Sequence, residues 1–176
     1  MINFRIGDFS VLPFDKLVIE SDLNIAEASA TLYSKVDFRP SLELIFKKKV
    51  NGKEFQGNVN NYRFNIKRII SYRNSFLPII SGKIEKRAYP IKGSQISVTM
   101  RMNCFVMIFS MFWIGALTIF VCNQIVNLFY GEDINKTSLI PLFTLILGFL
   151  LITGGFSHEA SKARKLLIHI FEGKEL

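Results

Sequence analysis

SLIPLFTLILGFLLITGGFSHEASKARKLLIHIF, residues 138 to 171, changes character partway along. Residues 138 to 156 carry no charge, whereas residues 157 to 171 hold Glu159, Lys162, Arg164 and Lys165. As a helix rising 1.5 Å per residue, the first 19 positions cover roughly 28 Å, close to the ~30 Å hydrocarbon core of a bilayer. Pro141 falls in the first turn, where its missing N–H would be unpaired anyway. Gly154 and Gly155 then read as a flex point. After them Ala160, Ala163, Leu167 and Ile170 share one face of an amphipathic C-terminal helix. That tail is expected either to lie on the bilayer surface, by a slight preference, or to pack on the sheet domain.

A companion run lies upstream: CFVMIFSMFWIGALTIFVC, residues 104 to 122, is nearly all apolar, and no charged residue occurs from 102 to 131. The two runs predict a transmembrane helical hairpin over 102–157, with spans at about 104–122 and 138–156 and a connection at 123–137. Two buried helices of a soluble core are the alternative, disfavoured because charge-free runs of this length are rare in soluble domains. Lys83, Lys86, Arg87, Lys92 and Arg101 precede the first span, and Lys162, Arg164 and Lys165 follow the second. The connection offers Lys136 beside Glu132 and Asp133. The positive-inside rule therefore predicts an integral membrane protein with both termini cytoplasmic. MINFRIGDFS has no apolar signal core, so the first span is expected to direct insertion itself. Cys104 and Cys122 stand about 27 Å apart on one helix and cannot form a bridge within the chain.

Charge divides the molecule in the same way. Of 22 Lys and Arg, 17 fall in residues 1 to 101 against nine Asp and Glu, and this basic stretch shows strand periodicity. Leu42, Leu44 and Phe46 alternate with polar neighbours ahead of Asn51-Gly52, a two-residue turn that sets Leu44 opposite Val59 and Phe46 opposite Gly57. A second turn at Asn60-Asn61 pairs Val59 with Tyr62, Gly57 with Phe64 and Phe55 with Ile66. A three-residue loop of Arg73, Asn74 and Ser75 pairs Tyr72 with Phe76 and Phe64 with Ile84. Pro78 cannot donate to a ladder, so a bulge or unpaired edge is expected there. Residues 94 to 102 alternate Ile96, Val98, Met100 and Met102 and lead into the first span. The prediction is an α+β fold: an antiparallel β-meander of about five strands with one apolar face. Its cover is an N-terminal helix opening at Asn24-x-x-Glu27, with Ile25, Ala28, Leu32 and Val36 at helical spacing. Ile2, Phe4 and Ile6, then Leu17 and Ile19, add two short strands. The expected division is a cytoplasmic α+β domain over 1–101, the hairpin over 102–157 and a cytoplasmic tail over 158–176.

The order Phe55-Gln-Gly57, Phe64-x-Ile66-x-Arg68, Tyr72-Arg-Asn-Ser-Phe-Leu-Pro78, Gly82, the alternating strand to Met102, Trp113 and a second span resembles a group of small bacterial two-span membrane proteins of unknown function. The resemblance covers about residues 54 to 160. It implies a bacterial inner-membrane location and this element order, and it carries no activity, cofactor or catalytic residue to this chain.

The chemistry-bearing residues point away from catalysis. His158 and His169 both follow the second span, so a serine of the basic domain has no histidine base nearby in sequence. That domain contains no Cys, and the chain has no glycine-rich phosphate loop. No catalytic residue, metal ligand or cofactor site is assigned. Arg68 occupies an apolar-face position between Ile66 and Ile70, where a guanidinium needs either a bound anion or an acidic partner. Lys47, Lys48 and Lys49 with Lys53 make a cationic hairpin tip, which either protects an edge or meets anionic lipid. With Arg73 and Arg101 these form the candidate anion or lipid-headgroup contacts: Arg68, Arg73, Lys47, Lys48, Lys49 and Arg101. Nucleic acid is not an expected partner, because no aromatic and basic interleaving accompanies the charge. The expected role is a membrane-anchored, non-enzymatic binding or adaptor module, with the lipid bilayer, anionic headgroups, and a protein partner or a second copy as its contacts. The alternative is a small membrane enzyme or transport accessory subunit whose site forms only in a complex.

Overall fold

The computed structural model describes residues 5–6, 9–10, 13–38, 52–88, 90–130 and 139–176. In chain order the elements are β1 (Arg5–Ile6), β2 (Phe9–Ser10), β3 (Phe14–Ser21), α1 (Ile25–Lys35), β4 (Val36–Asp37), β5 (Phe55–Asn60), β6 (Arg63–Arg68), β7 (Ile79–Lys86) and β8 (Ser94–Arg101). Two long helices follow, α2 (Cys104–Phe129) and α3 (Leu139–Ile170), and then β9 (Lys174–Glu175). The fold is α+β, but the sheet differs from the expected five-stranded meander. It is a mixed sheet of seven strands in the order β4-β5-β6-β7-β8-β3-β9, with β4 parallel to β5 and every other pair antiparallel. Strands β5 to β8 are the meander. Short edge strands lie outside it, and β3 lies beside β8 along its whole length, from Phe14 opposite Arg101 to Ser21 opposite Ser94. The expected pairing of Leu44 and Phe46 across Asn51-Gly52 falls outside the described residues, as do Lys47, Lys48 and Lys49.

The β5–β6 and β6–β7 pairings depart from the predicted register by two residues. Val59 faces Phe64, Gly57 faces Ile66 and Phe55 faces Arg68, because the turn is Asn61-Tyr62. Those two residues have φ of 46° and 61°, the left-handed pair that a type I′ turn demands. Likewise Phe64 faces Gly82 and Ile66 faces Ile80, so residues 69–78 form a ten-residue connection in place of the predicted three. A two-residue slip returns every side chain to the same face, so alternation cannot distinguish the two registers. Contact does distinguish them: the Phe64 ring lies where a side chain on Gly82 would have to be, with the ring Cζ 2.2 Å from an ideal Cβ. Pro78 sits just ahead of β7, outside the ladder.

One face of the sheet is apolar and buried. Leu17, Ile19, Phe64, Ile66, Ile80, Ile84, Ile96, Val98 and Met100 are all at most 3% exposed. The other face carries Lys16, Asn58, Arg63, Asn65, Lys83 and Ser97, all exposed. That is the alternation of an antiparallel sheet wetted on one side. Helix α1 begins with a capping box in which the Asn24 side chain accepts from the Glu27 N–H and Glu27 accepts from the Asn24 N–H, each at 2.9 Å. It contributes Ala28 and Leu32 to the core. The larger cover comes from the other end of the chain, through Phe156, Ala160, Ala163, Leu167, Ile170 and Phe171.

This cover corrects the reading of residues 138–171. Gly154 and Gly155 do not interrupt the chain: α3 is one helix of 32 residues, roughly 48 Å long. Its amphipathic end is buried against the sheet and does not lie along a bilayer. A glycine costs about 1 kcal/mol in a helix interior, less than the packing of the turns that follow it. The helix's other end is bare. Leu142, Phe143, Ile146, Leu147, Leu150 and Leu151 are 41–68% exposed, and of α2 only Ser110 is buried. By length and composition both helices are able to cross a membrane. Their apolar surface is not buried by protein, as the core helices of a soluble domain would be.

Candidate functional site

The one carboxylate on the inner face of α3 organises the site. Glu159 lies one turn beyond Gly155, with a side chain 1% exposed. A buried carboxylate must be paired and hydrogen-bonded to remain charged, and two groups from the sheet side do this. Arg68, the last residue of β6, donates from Nη1 to Oε2 at 2.6 Å, and the Tyr72 hydroxyl donates to Oε1. The hydrogen bond to Glu159 pushes the Tyr72 phenol above its ordinary pKa, with burial and the carboxylate's charge adding to it and Arg68 opposing.

The connection 69–78 is thereby strapped along α3. Tyr72 fastens it at Glu159, and Phe76 lies on Gly155, where an added Cβ would come within 2.8 Å of the ring. The Asn74 side chain accepts from the Phe76 N–H at 2.9 Å and holds the bend between them. At its other end the Ile69 N–H donates to the Glu54 carbonyl at 2.9 Å.

Concavities open on both sides of this strap. Toward the long helices, an apolar groove of about 510 Å³ runs between Phe76, Phe105, Phe109, Trp113, Leu151 and Ile152. Trp113 closes on Gly148, whose hydrogen leaves room for the ring. Toward the C-terminal end of α3, a recess of about 430 Å³ is lined by Arg68, Lys162, Lys165 and His169 with Glu54 and Ile69. On α3 the positions 152, 155, 159, 162, 166 and 169 recur every three or four residues and so form one stripe. That stripe passes from apolar, under the strap, to cationic. A neighbouring hollow of about 700 Å³ shares Glu54, Lys165 and His169 and adds Lys35 and Glu172.

The charges in the recess do not cancel. Arg68 is matched by Glu159, and Glu54 by Lys35 at 3.7 Å. Lys162 and Lys165 are exposed and form no ion pair with the other described residues. Such a recess can hold an anion. Among the described residues no group of three or more His, Cys, Asp or Glu is placed to hold a metal ion.

A second buried ion pair fixes the same helix to the sheet. Arg164 and Asp15 meet at 2.5 Å with side chains 6% and 4% exposed, and Glu175 on β9 pairs with Arg164. Its place deep in the interface makes it a fastening of α3 to β3 and β9.

Of the residues singled out from sequence, Arg68 is at the centre of the site. Arg73 is exposed on the strap beside Tyr72. Arg101 is exposed at the end of β8, two residues before the α2 cap Asn103, away from the recess. The sequence reading missed Glu159, Tyr72, Lys162, Lys165 and His169. It placed the charged residues of the tail on the free side of an amphipathic helix. The signal available was a glutamate in register with Gly155 and Lys162 on the stripe that packs toward Arg68.

Comparison with protein families, with curated proteins and with solved structures gives no match. The resemblance to small bacterial two-span proteins therefore stands on the quoted residues alone.

Proposed function

We propose that this chain is a two-pass, membrane-anchored, non-enzymatic binding module. Its sheet domain and both termini face the cytoplasm, and the membrane is the bacterial inner membrane. The observation that carries the reading is the division of α3. Its first half presents large apolar side chains to the surroundings, and its second half is the core of the sheet domain. One rigid element therefore ties the head to whatever solvates residues 139–151, and hydrocarbon is the solvent those side chains fit. Lysines and arginines flank the head side of both long helices, which supports a cytoplasmic head. The cationic recess beside the strap supports binding as the role. Arg68, Tyr72 and Glu159 satisfy one another in it.

The test is topological. A single cysteine at Asn135, with Cys104 and Cys122 replaced, is expected to react with a membrane-impermeant maleimide added outside intact cells, while one at Lys174 reacts only after lysis. Labelling of Lys174→Cys in intact cells, or release of the chain from membranes by alkaline carbonate, overturns the reading.

A further inference from the structure

We propose that the recess between β6 and α3 binds a phosphate-bearing anion, with Arg68 as its fixed floor and Lys162 and Lys165 as its walls. This deepens the binding-module reading and depends on the membrane part of it only for the source of the anion.

Charge is the first argument. Of the carboxylates at the recess, Glu159 is matched by Arg68 and Glu54 by Lys35, while Lys162 and Lys165 form no ion pair with the other described residues. Two like charges three residues apart on one helix repel each other, and an anion between them turns that repulsion into attraction.

Preorganisation is the second. An arginine has five N–H donors, so the bond from Nη1 to Glu159 holds the guanidinium in place while leaving donors for another acceptor. Planar guanidinium with nearby ammonium groups is the donor set that suits phosphate oxygens. Glu159 is the positioning residue for Arg68 in this arrangement. A volume of about 430 Å³ lies in the range of small-ligand sites.

Depth along α3 is the third. Lys162 is ten residues past Ile152, which lies beside the first turn of α2, about 15 Å along the helix, and Lys165 is about 20 Å along. Headgroups extend roughly 5–8 Å beyond the hydrocarbon on each side, and a lysine stem spans the difference. The recess thus reaches a lipid phosphate at its Lys162 end and opens to the aqueous phase at His169.

The experiment uses the full chain in nanodiscs and two probes. Pyrophosphate is titrated by calorimetry against the chain in pure phosphatidylcholine. In parallel, phosphatidylglycerol retained from mixed discs is counted by native mass spectrometry. Wild type is expected to bind one of the two, and K162Q/K165Q to bind it roughly tenfold more weakly or worse. K162R/K165R, which keeps the charge, should retain binding. Pyrophosphate binding assigns the site to a soluble phosphate compound. Retained phosphatidylglycerol without pyrophosphate binding assigns it to a lipid headgroup. Absence of both in wild type, or equal binding by K162Q/K165Q, overturns the proposal. Both lysines are exposed, so an unchanged unfolding temperature verifies that the variant is folded. A chain that stays embedded in the disc yet binds neither probe defeats this inference and leaves the anchoring intact. A chain that binds pyrophosphate but leaves membranes in carbonate does the reverse.

Discussion

The two ends of α3 share one backbone and obey different solvents. Leu151 is 59% exposed and Leu167 is fully buried, although both are leucines on the same unbroken helix. Burial of apolar area drives the lower end of the helix onto the sheet in water. The upper end has no protein partner of comparable extent and is suited to a medium in which exposure of leucine costs nothing. The lesson is that a glycine pair between such segments need not be a joint. Continuity of the helix makes the head and the long helices one mechanical unit, with the strap 69–78 lying across the boundary.

The largest effect is expected where that continuity is attacked. Gly154→Pro removes a helical hydrogen bond and sets its ring against the carbonyl four residues earlier, at a cost of about 3 kcal/mol or more. The head should lose amide-exchange protection at Leu167 and Ile170 while α2 keeps its own. Uniform protection in the variant would mean that the two ends were never coupled.

Next comes truncation of matched leucines. Leu167→Ala should destabilise the head by about 2–5 kcal/mol, by lost transfer energy and the cavity left behind. Leu151→Ala should move head stability by much less, because its side chain is not in that core. Equal losses would show that the upper end is packed in protein after all.

Glu159→Gln is expected to cost about 1–3 kcal/mol, since a charge-assisted pair becomes a neutral one beside Arg68. It also removes the largest cause of the Tyr72 shift, so the phenol should titrate lower than in wild type when followed by phenolate absorbance. The sign of the pH dependence follows from linkage. A phenol whose folded pKa is raised above its unfolded value stabilises the fold fully below the unfolded pKa, and that contribution fades as pH rises through the folded one. Wild type should therefore lose stability at alkaline pH relative to Tyr72→Phe, with the difference confined to the region above the ordinary tyrosine range. A Tyr72→Phe curve parallel to wild type there would show that the strap is not held by this bond.

What could be read from sequence was whatever repeats. Alternation at Phe64, Ile66, Ile80, Ile84, Ile96 and Val98 assigns those residues to one face, and the charge-free runs announce the long helices. What could not be read was anything fixed by contact between distant segments. The β6–β7 register slipped by two, because the Phe64 ring over Gly82 chooses between registers of equal parity. The site suffered for the same reason. Arg68 was recognisable as a misplaced cation that needs an anion, yet its partner lies 91 residues away on a helix whose orientation depends on the sheet it covers. Lys162 and Lys165 look like any solvated lysines until that helix is docked.

The smallest predicted effect is the sharpest comparison, because it separates two adjacent glycines. An ideal Cβ on Gly154 meets nothing within 4 Å, whereas one on Gly155 lies 2.8 Å from the Phe76 ring. Gly154→Ala should then stabilise α3 by about 0.5–1 kcal/mol, the ordinary gain from replacing glycine within a helix. Gly155→Ala should more than cancel that gain and destabilise the fold by pushing Phe76 off the helix, and should loosen Tyr72 from Glu159 along with it. The readout is a pair of melting curves on the full chain, together with the Tyr72 titration for the second variant. If the pair were a hinge that the protein must bend, alanine would be harmful at both positions. Opposite signs at neighbouring residues are the signature of a straight helix with a ring seated on one side.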